Sequence, residues 1–292
     1  MNGRTSIAVV VLVGVIACGT EEKRPLGSTN SGGGTGGDSG STTTTSEAGH
    51  GGTGGGAGGA TGGGGAGGGS PELQVFFIGS KPTYTNQLPE LVRDLSTAQE
   101  PTIVVTAVTV PHVTLQNHYD FTGAVGVIQW GGWHAVVLQG DNIEPLFDPA
   151  TFHSAVLAFD AEIDAVGAET VLFETWAFAP GHTAYNETWS GGNPTAMQAG
   201  LRAEYLAAAA ATGGVMAPVG DAWETSLVSH PIIQLHWSDG SAPTIAGTYL
   251  AACMLYLVIT GHQTIASPAP APTGLSEPEA ATLRLVAEAT PW

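Results

Sequence analysis

The first side chains able to do chemistry are a hydroxyl and an amine at the end of a short apolar run. Residues 75–78 are Val, Phe, Phe and Ile, and Ser80 and Lys81 follow them after one glycine. Far along the chain, His236 and Asp239 lie three positions apart. A serine hydroxyl with an imidazole and a carboxylate can hydrolyse an ester, provided that the groups lie within hydrogen-bond reach. These four side chains are therefore the candidates for a hydrolytic site.

The turn that carries Ser80 and Lys81 is expected at one edge of a sheet. The apolar run has the length and the aromatic and β-branched content of a buried parallel strand, and the Gly-Ser-Lys-Pro after it cannot continue that strand. Beyond the turn we predict a helix from Asn86 to about Gln99, with Asn86 as its N-cap. Ligand crevices of open α/β sheets lie beyond the carboxyl ends of the strands, so residues 80–84 should line one.

The remainder of the chain alternates apolar strands with helical patterns. Strands are predicted at residues 75–78, 102–108, 135–139, 170–176 and 215–219, and helices at 86–99, 148–166, 194–211, 221–228, 243–260 and 277–288. The segment 111–130 has only a weak pattern. Five strands separated by helices imply parallel βαβ units with right-handed crossovers. We therefore predict one three-layer α/β/α domain with a flavodoxin-like parallel sheet in the strand order 2-1-3-4-5.

The first 70 residues do not have the composition of a globular domain. Residues 1–18 combine Arg4, an apolar core and small residues before Cys18, which is the pattern of a bacterial lipoprotein signal. Residues 19–70 are rich in Gly, Ser and Thr and cannot bury a core, so we predict a flexible linker. The globular domain is then expected at 71–292. This organisation predicts lipid attachment at Cys18 and a domain in the cell envelope, at the outer membrane or cell surface of a bacterium.

Charge and composition exclude several classes of partner. The chain has a formal net charge of -18 at pH 7, and the expected domain holds only four basic residues against about twenty acidic ones. Such an anionic domain is a poor binder of nucleic acid. Its histidines lack tight metal-ligand spacing, and Cys253 falls in an apolar run typical of a buried free thiol. We predict no cofactor, no metal, and a monomer that meets the membrane through its lipid anchor.

The turn and its flanks resemble the first sequence block of the SGNH/GDSL hydrolases. Residues 77–79 (Phe-Ile-Gly) and the pair Thr83-Tyr84 match a branch in which the block runs Phe-Ile-Gly-Asn-Ser-Tyr-Thr and the serine is the nucleophile. In that alignment the nucleophile position falls on Lys81, and Ser80 lies one place early. The resemblance therefore implies that the usual nucleophile is absent.

The resemblance extends over nearly all of residues 73–262. Similar segments, in the same order as in the family, are 133–139, 174–177, 217–223 and 235–250. Several colinear segments imply the SGNH-hydrolase fold, and they do not by themselves imply activity.

The last of these segments departs from the family at the general base. It contains Asp-Gly-Ser-Ala-Pro, where the family has Asp-Gly-Ser-His-Pro. Asp239 thus fills the position of the triad acid, while Ala242 stands where the base belongs. Other polar positions are also altered: Pro111 or His112 replaces the oxyanion-hole glycine, and Gln139, Asp141 and Asn142 are loose counterparts of the third block.

The resemblance and its departures leave more than one function open. The first is an exported protein that keeps the hydrolase fold, has lost catalysis, and binds a small molecule or a glycan. Its expected ligand contacts lie near the crevice, at Lys81, Tyr84, Gln139, Asn142 and Trp237. In a sharper version, Lys81 is a lone cation at a helix N-terminus that suits a small anion.

The alternative is an active carbohydrate esterase or acetylesterase. Ser80 would be its nucleophile, and His236 would replace the missing base and work with Asp239. Such a relay needs the three groups within about 3 Å of their partners. A third possibility, a structural surface protein with no small ligand, predicts a closed or filled crevice.

Overall fold

The computed structural model of the protein describes residues 72–292. The expected signal segment, the linker and the lipidation site at Cys18 lie outside the described residues and stay predictions. Among the described residues, no helix is both long and apolar enough to span a bilayer.

Five strands form one sheet in which all neighbours are parallel. They are β1 (Glu72–Gly79), β2 (Thr102–Thr109), β3 (Ala135–Gln139), β4 (Glu169–Phe173) and β5 (Val215–Ala217). The strand order is β2-β1-β3-β4-β5, which confirms the predicted flavodoxin-like arrangement. At the end of β1, Gly79 pairs with Thr109 on one side and with Gln139 on the other. The turn after Gly79 therefore starts between the ends of two neighbouring strands.

Helices cover both faces of this sheet. They are α1 (Lys81–Tyr84), α2 (Leu88–Ser96), α3 (Leu115–Phe121), α4 (Ala124–Ile128), α5 (Glu144–Phe147), α6 (Pro149–Ala165), α7 (Pro194–Thr212), α8 (Val219–Ser229), α9 (Ile245–Thr260) and α10 (Glu277–Ala289). Successive residues of β1 face opposite sides of the sheet. Val75 and Phe77 pack in a core with α2, α8, α9 and α10, whereas Phe76 and Ile78 pack in a second core with α3, α4, α6 and α7. The predicted three-layer architecture is thus confirmed.

Helix α9 is apolar on every side and forms the centre of one layer. All of its residues from 246 to 259 are buried, and it packs against α2, α8 and α10. A helix that is hydrophobic all round requires such an enclosed position. Cys253, within α9, is a buried free cysteine as predicted. At the start of the helix the Thr244 side chain accepts a hydrogen bond from the Gly247 amide, which fixes the end of the loop that carries Asp239.

Asn86 does not cap a helix, contrary to the prediction. It has a φ of 55°, and its side-chain Nδ2 donates to Thr248 Oγ1 at 2.8 Å. The helix after the turn begins at Leu88 instead. Asn86 therefore ties the turn to α9, a contact with a distant residue that local sequence cannot reveal.

The weakly patterned segment 111–130 contains two short helices, α3 and α4. Each helix buries only two side chains, Leu115 and His118 in α3 and Ala124 and Ile128 in α4. So few buried positions give no recognisable helical period, which explains why the sequence did not predict them.

Candidate functional site

The Gln139 side chain holds the turn after β1 in place. Its Oε1 accepts hydrogen bonds from the Ser80 amide at 3.0 Å and from Thr83 Oγ1 at 2.9 Å. A Cβ on Gly79 would lie 2.3 Å from Thr83 Oγ1, so only glycine permits this packing. We expected Gln139 to contact ligand, but its side chain is fully buried. Its role in the structure is to position the turn.

Ser80 is not presented to the crevice. The residue is fully buried, and its Oγ has no hydrogen-bond partner among the described residues. A serine nucleophile requires a base within hydrogen-bond reach and an exposed oxygen for the substrate to approach. Ser80 has neither in this geometry.

Lys81 is paired with Asp239 beyond the end of β1, where the sequence predicts a crevice. Lys81 Nζ lies 3.4 Å from Asp239 Oδ2, and the two side chains are 32% and 46% exposed. The other carboxylate oxygen, Oδ1, accepts hydrogen bonds at 2.9 Å from the amides of Ser241 and Ala242. Partial burial raises the pKa of Asp239, but these two amides and Lys81 outweigh it and leave the pKa below its usual value. Lys81 is therefore not the lone cation that the sequence suggested, and the anion site built on it loses its basis.

His236 contacts residues other than Ser80. Its Nε2 donates to the carbonyl oxygen of Ala177 at 3.0 Å, and its ring stands edge-on to the indole of Trp223 with centroids 4.9 Å apart. Burial lowers the pKa of His236. The structure thus brings Lys81 and Asp239 together, while it shows no hydrogen bond from Ser80 Oγ to His236 or to any other described residue.

Two aromatic side chains on the segments that carry Lys81 and Asp239 are open to solvent. Tyr84 lies on the same short helix as Lys81 and is 55% exposed, and Trp237 lies in the turn that holds Asp239 and is 56% exposed. Hydrogen bonds from Trp237 N to Ala242 O and from Gly240 N to Trp237 O shape that turn. Asn142, the remaining expected ligand contact, is half-buried in the loop after β3.

A second polar cluster lies at the carboxyl end of β4, and sequence reasoning missed it. Glu174 is fully buried and accepts hydrogen bonds from Gln198 Nε2 at 2.7 Å and from the Asp221 amide at 3.3 Å. Arg202 in turn pairs with the Asp221 and Glu224 carboxylates. The sequence did contain one signal of this cluster, a glutamate directly after an apolar strand. A carboxylate is buried at such a position only when hydrogen-bonding or charged partners surround it.

Stability should fall as pH rises because two buried acids hold their protons in the folded state. Burial, aided by the Asp221 carboxylate, raises the pKa of Glu174 to about 8, and burial raises that of Glu144 to about 7. Both ionise near 4.5 in the unfolded chain, so the folded state binds more protons and the free energy of unfolding declines as pH rises through 8. His118, whose pKa burial lowers to about 4, opposes this trend only below its ordinary value of 6.5.

Urea unfolding between pH 6.5 and 8.5 measures this slope. We expect a decline of roughly 1–3 kcal/mol in the wild type and a clearly shallower decline in Glu174→Gln. The variants are compared by the slope of the free energy of unfolding against pH. The glutamine side chain of the variant also loses one hydrogen bond, which lowers that free energy at every pH. A stability that rises over this interval would contradict the assignment of a protonated Glu174.

Among residues 72–292 there is no group of three or more His, Cys, Asp or Glu side chains that could hold a metal ion.

Comparison by sequence identifies no relative: no protein-family model and no curated protein matches the chain. Solved structures do match. A protein of Slackia heliotrinireducens described as a candidate SGNH hydrolase is 24% identical, with a TM-score of 0.56 over 63% of this chain and 97% of its own. A DUF4886 family protein of Bacteroides uniformis is 16% identical, with a TM-score of 0.58 over 74% of this chain and 93% of its own.

An acetylxylan esterase of Geobacillus stearothermophilus, solved as a catalytic mutant, also matches. It is 14% identical, with a TM-score of 0.50 over 66% of this chain and 95% of its own. Identities this low establish the fold and do not transfer an activity. Together with the parallel sheet and its strand order, they show that the chain has the fold of the SGNH/GDSL hydrolases.

Proposed function

We propose that this protein is a non-catalytic form of the SGNH-hydrolase fold that binds a glycan at the Lys81–Asp239 crevice. The observation that carries the proposal is the contact between Lys81 Nζ and Asp239 Oδ2 at 3.4 Å. In a hydrolase the carboxylate orients an imidazole, and the imidazole takes the proton of the nucleophile. Here the carboxylate contacts the Lys81 side chain instead of an imidazole, so the group that takes the proton in a hydrolase is missing from its position.

The remaining groups do not replace the missing relay. Ala242 can accept no proton, and Ser80 Oγ is buried. Lysine could attack an ester carbonyl, but the amide product would not turn over by ordinary ester hydrolysis. Members of a triad act as a unit, so losing two of them costs several powers of ten in rate.

The crevice offers what a sugar ring needs. A paired lysine and aspartate present a donor and an acceptor with little net charge, which suits neutral hydroxyl groups better than a free anion. Exposed aromatic faces, here Trp237 and Tyr84, are the usual platforms for the apolar face of a sugar. The similarity in fold to an acetylxylan esterase supports a carbohydrate as the ligand class.

Calorimetric titration with neutral oligosaccharides, chosen from a glycan array probed with the full chain, tests this proposal. We expect Trp237→Ala to weaken binding by about tenfold, the loss of one stacking platform. Trp130→Ala is the matched control, because Trp130 is 67% exposed and lies in the loop after α4, away from the crevice. Equal losses in both variants, or an array without a bound glycan, would refute the proposal.

A further inference from the structure

A cavity of about 380 Å³ lies beyond the carboxyl ends of β4 and β5. It is bounded by the segment after β4, by the start of α7 and by α8. Neither Lys81 nor Asp239 lines it. Its size falls within the range of small-molecule binding pockets, roughly 300–1,000 Å³. The apolar part of its lining includes Trp176, Phe178, Pro180, Trp223, Leu227 and Val228.

The rings at the base of the cavity form a rigid wall. The indoles of Trp176 and Trp223 stack with centroids 4.0 Å apart and planes only 3° from parallel. Trp176 Nε1 donates to the Ser241 carbonyl at 3.0 Å. Trp223 Nε1 has no partner among the described residues but is shielded by its neighbours. The wall therefore consists mainly of hydrocarbon, with one indole N–H bonded to Ser241 and the other buried.

Two polar side chains of the lining, Gln198 and Glu224, already have partners. Gln198 Oε1 accepts from the Ala177 amide at 2.8 Å, and its Nε2 donates to Glu174 at 2.7 Å. Glu224 Oε2 pairs with Arg202 at 3.2 Å. An anionic ligand would find no cationic side chain in this lining and would lose its hydration, which is costly. The lining thus selects against anions.

The mouth of the cavity is also apolar. Leu227 and Val228, at the end of α8, are 36% and 78% exposed. Nearby Ile232 is 90% exposed. An apolar ligand that covers these side chains removes their surface from water, which is favourable in free energy.

We infer that this cavity binds an uncharged hydrocarbon group, either a fused aromatic ring system or a medium-length alkyl chain. An engineered apolar cavity of about 150 Å³ accepts benzene, so this one should hold roughly 15 non-hydrogen atoms. The inference does not rest on the proposed glycan site, because the two sites share no lining residue.

Fluorescence titration of the full chain with N-phenyl-1-naphthylamine, an uncharged fused-ring probe, tests the inference. We expect saturable binding that 1-decanol displaces at least five times more effectively than decanoate. Thr195→Trp, a change at an exposed lining residue of α7, should fill the mouth and weaken probe binding at least tenfold. Absence of saturable binding, equal displacement by decanoate, or full binding by Thr195→Trp would each overturn the inference.

Two further variants separate the cavity from general surface stickiness. Val228→Asp places a carboxylate at the mouth and should weaken probe binding at least fivefold. Leu285→Asp is its matched control, since Leu285 is 65% exposed on α10 and does not line the cavity; binding should stay unchanged. The Lys81→Met variant, which is changed at the proposed glycan site, should bind the probe with unchanged affinity. Failure of the cavity inference and failure of the glycan proposal are therefore distinguishable. Equal weakening by both aspartates would show that the probe binds elsewhere.

Discussion

The double variant Lys81→Ser with Ala242→His should hydrolyse acetyl esters at least about 100-fold faster than the wild type. The two changes restore a nucleophile and a base at the positions to which the family resemblance assigns them, and Asp239 is already present to orient the base. A complete triad contributes several powers of ten in rate. We expect less than the full effect, because the oxyanion-hole positions also depart from the family pattern.

The structure supports the placement of the new base. The Ala242 amide donates to Asp239 Oδ1 at 2.9 Å, so residue 242 belongs to the turn that carries the carboxylate. Asp239 Oδ2 contacts the Lys81 side chain, so the same carboxylate lies close to both substituted residues.

Initial rates with 4-nitrophenyl acetate are the measurement, and the single variants are the controls. Lys81→Ser and Ala242→His should each remain near the wild-type rate, because neither completes a relay. Circular dichroism establishes that each variant is folded. A folded double variant with no gain in rate would contradict the assignment of the lost catalytic positions.

Gly247→Ala should destabilise the domain by about 2 kcal/mol or more, as overpacking in a dense core does. Gly247 lies in the first turn of α9, where a Cβ would meet Trp223 Cζ2 at 2.5 Å and the Leu235 carbonyl oxygen at 2.6 Å. Neither neighbour can move freely, since Trp223 is fully buried and stacked on Trp176. The added methyl group must therefore displace α9 or the loop that carries Asp239.

Gly126→Ala is the matched control for this change. Gly126 is an exposed residue of α4, and a Cβ there would meet nothing within 4 Å. Alanine also favours helix over glycine, so stability should stay the same or rise by up to about 1 kcal/mol. Urea denaturation of the two variants measures the difference. Equal stability of Gly247→Ala and the wild type would show that α9 does not lie this close to Trp223.

Much of the fold could be predicted because its signals are local. The apolar runs at 75–78 and 135–139 have the length and composition of buried central strands, and their alternation with helices predicted a parallel sheet. The prediction for Asn86 was wrong. Asparagine is a preferred residue at a helix N-cap, but the Asn86 side chain donates a hydrogen bond to Thr248 instead. Contacts between residues far apart in sequence override local preference, and a single sequence does not reveal them.

For the candidate site, the sequence named residues but did not reveal their contacts. The family resemblance assigns Lys81 to the nucleophile position and Asp239 to that of the triad acid, but only the folded chain shows that they form a pair. Gln139 carried a polar side chain at the end of a strand, which suggested a ligand contact, whereas its oxygen is committed to the turn. The buried Glu174 cluster depends on partners from α7 and α8, and no spacing in the sequence connects them.

The most direct test of the central claim is the steady-state hydrolysis of 4-nitrophenyl acetate by the wild-type chain beside its Ser80→Ala variant. We predict no turnover above the uncatalysed rate in either protein, because Ser80 is buried and Asp239 is paired with Lys81. Multiple turnovers by the wild type that disappear in folded Ser80→Ala would contradict the account and establish an active esterase.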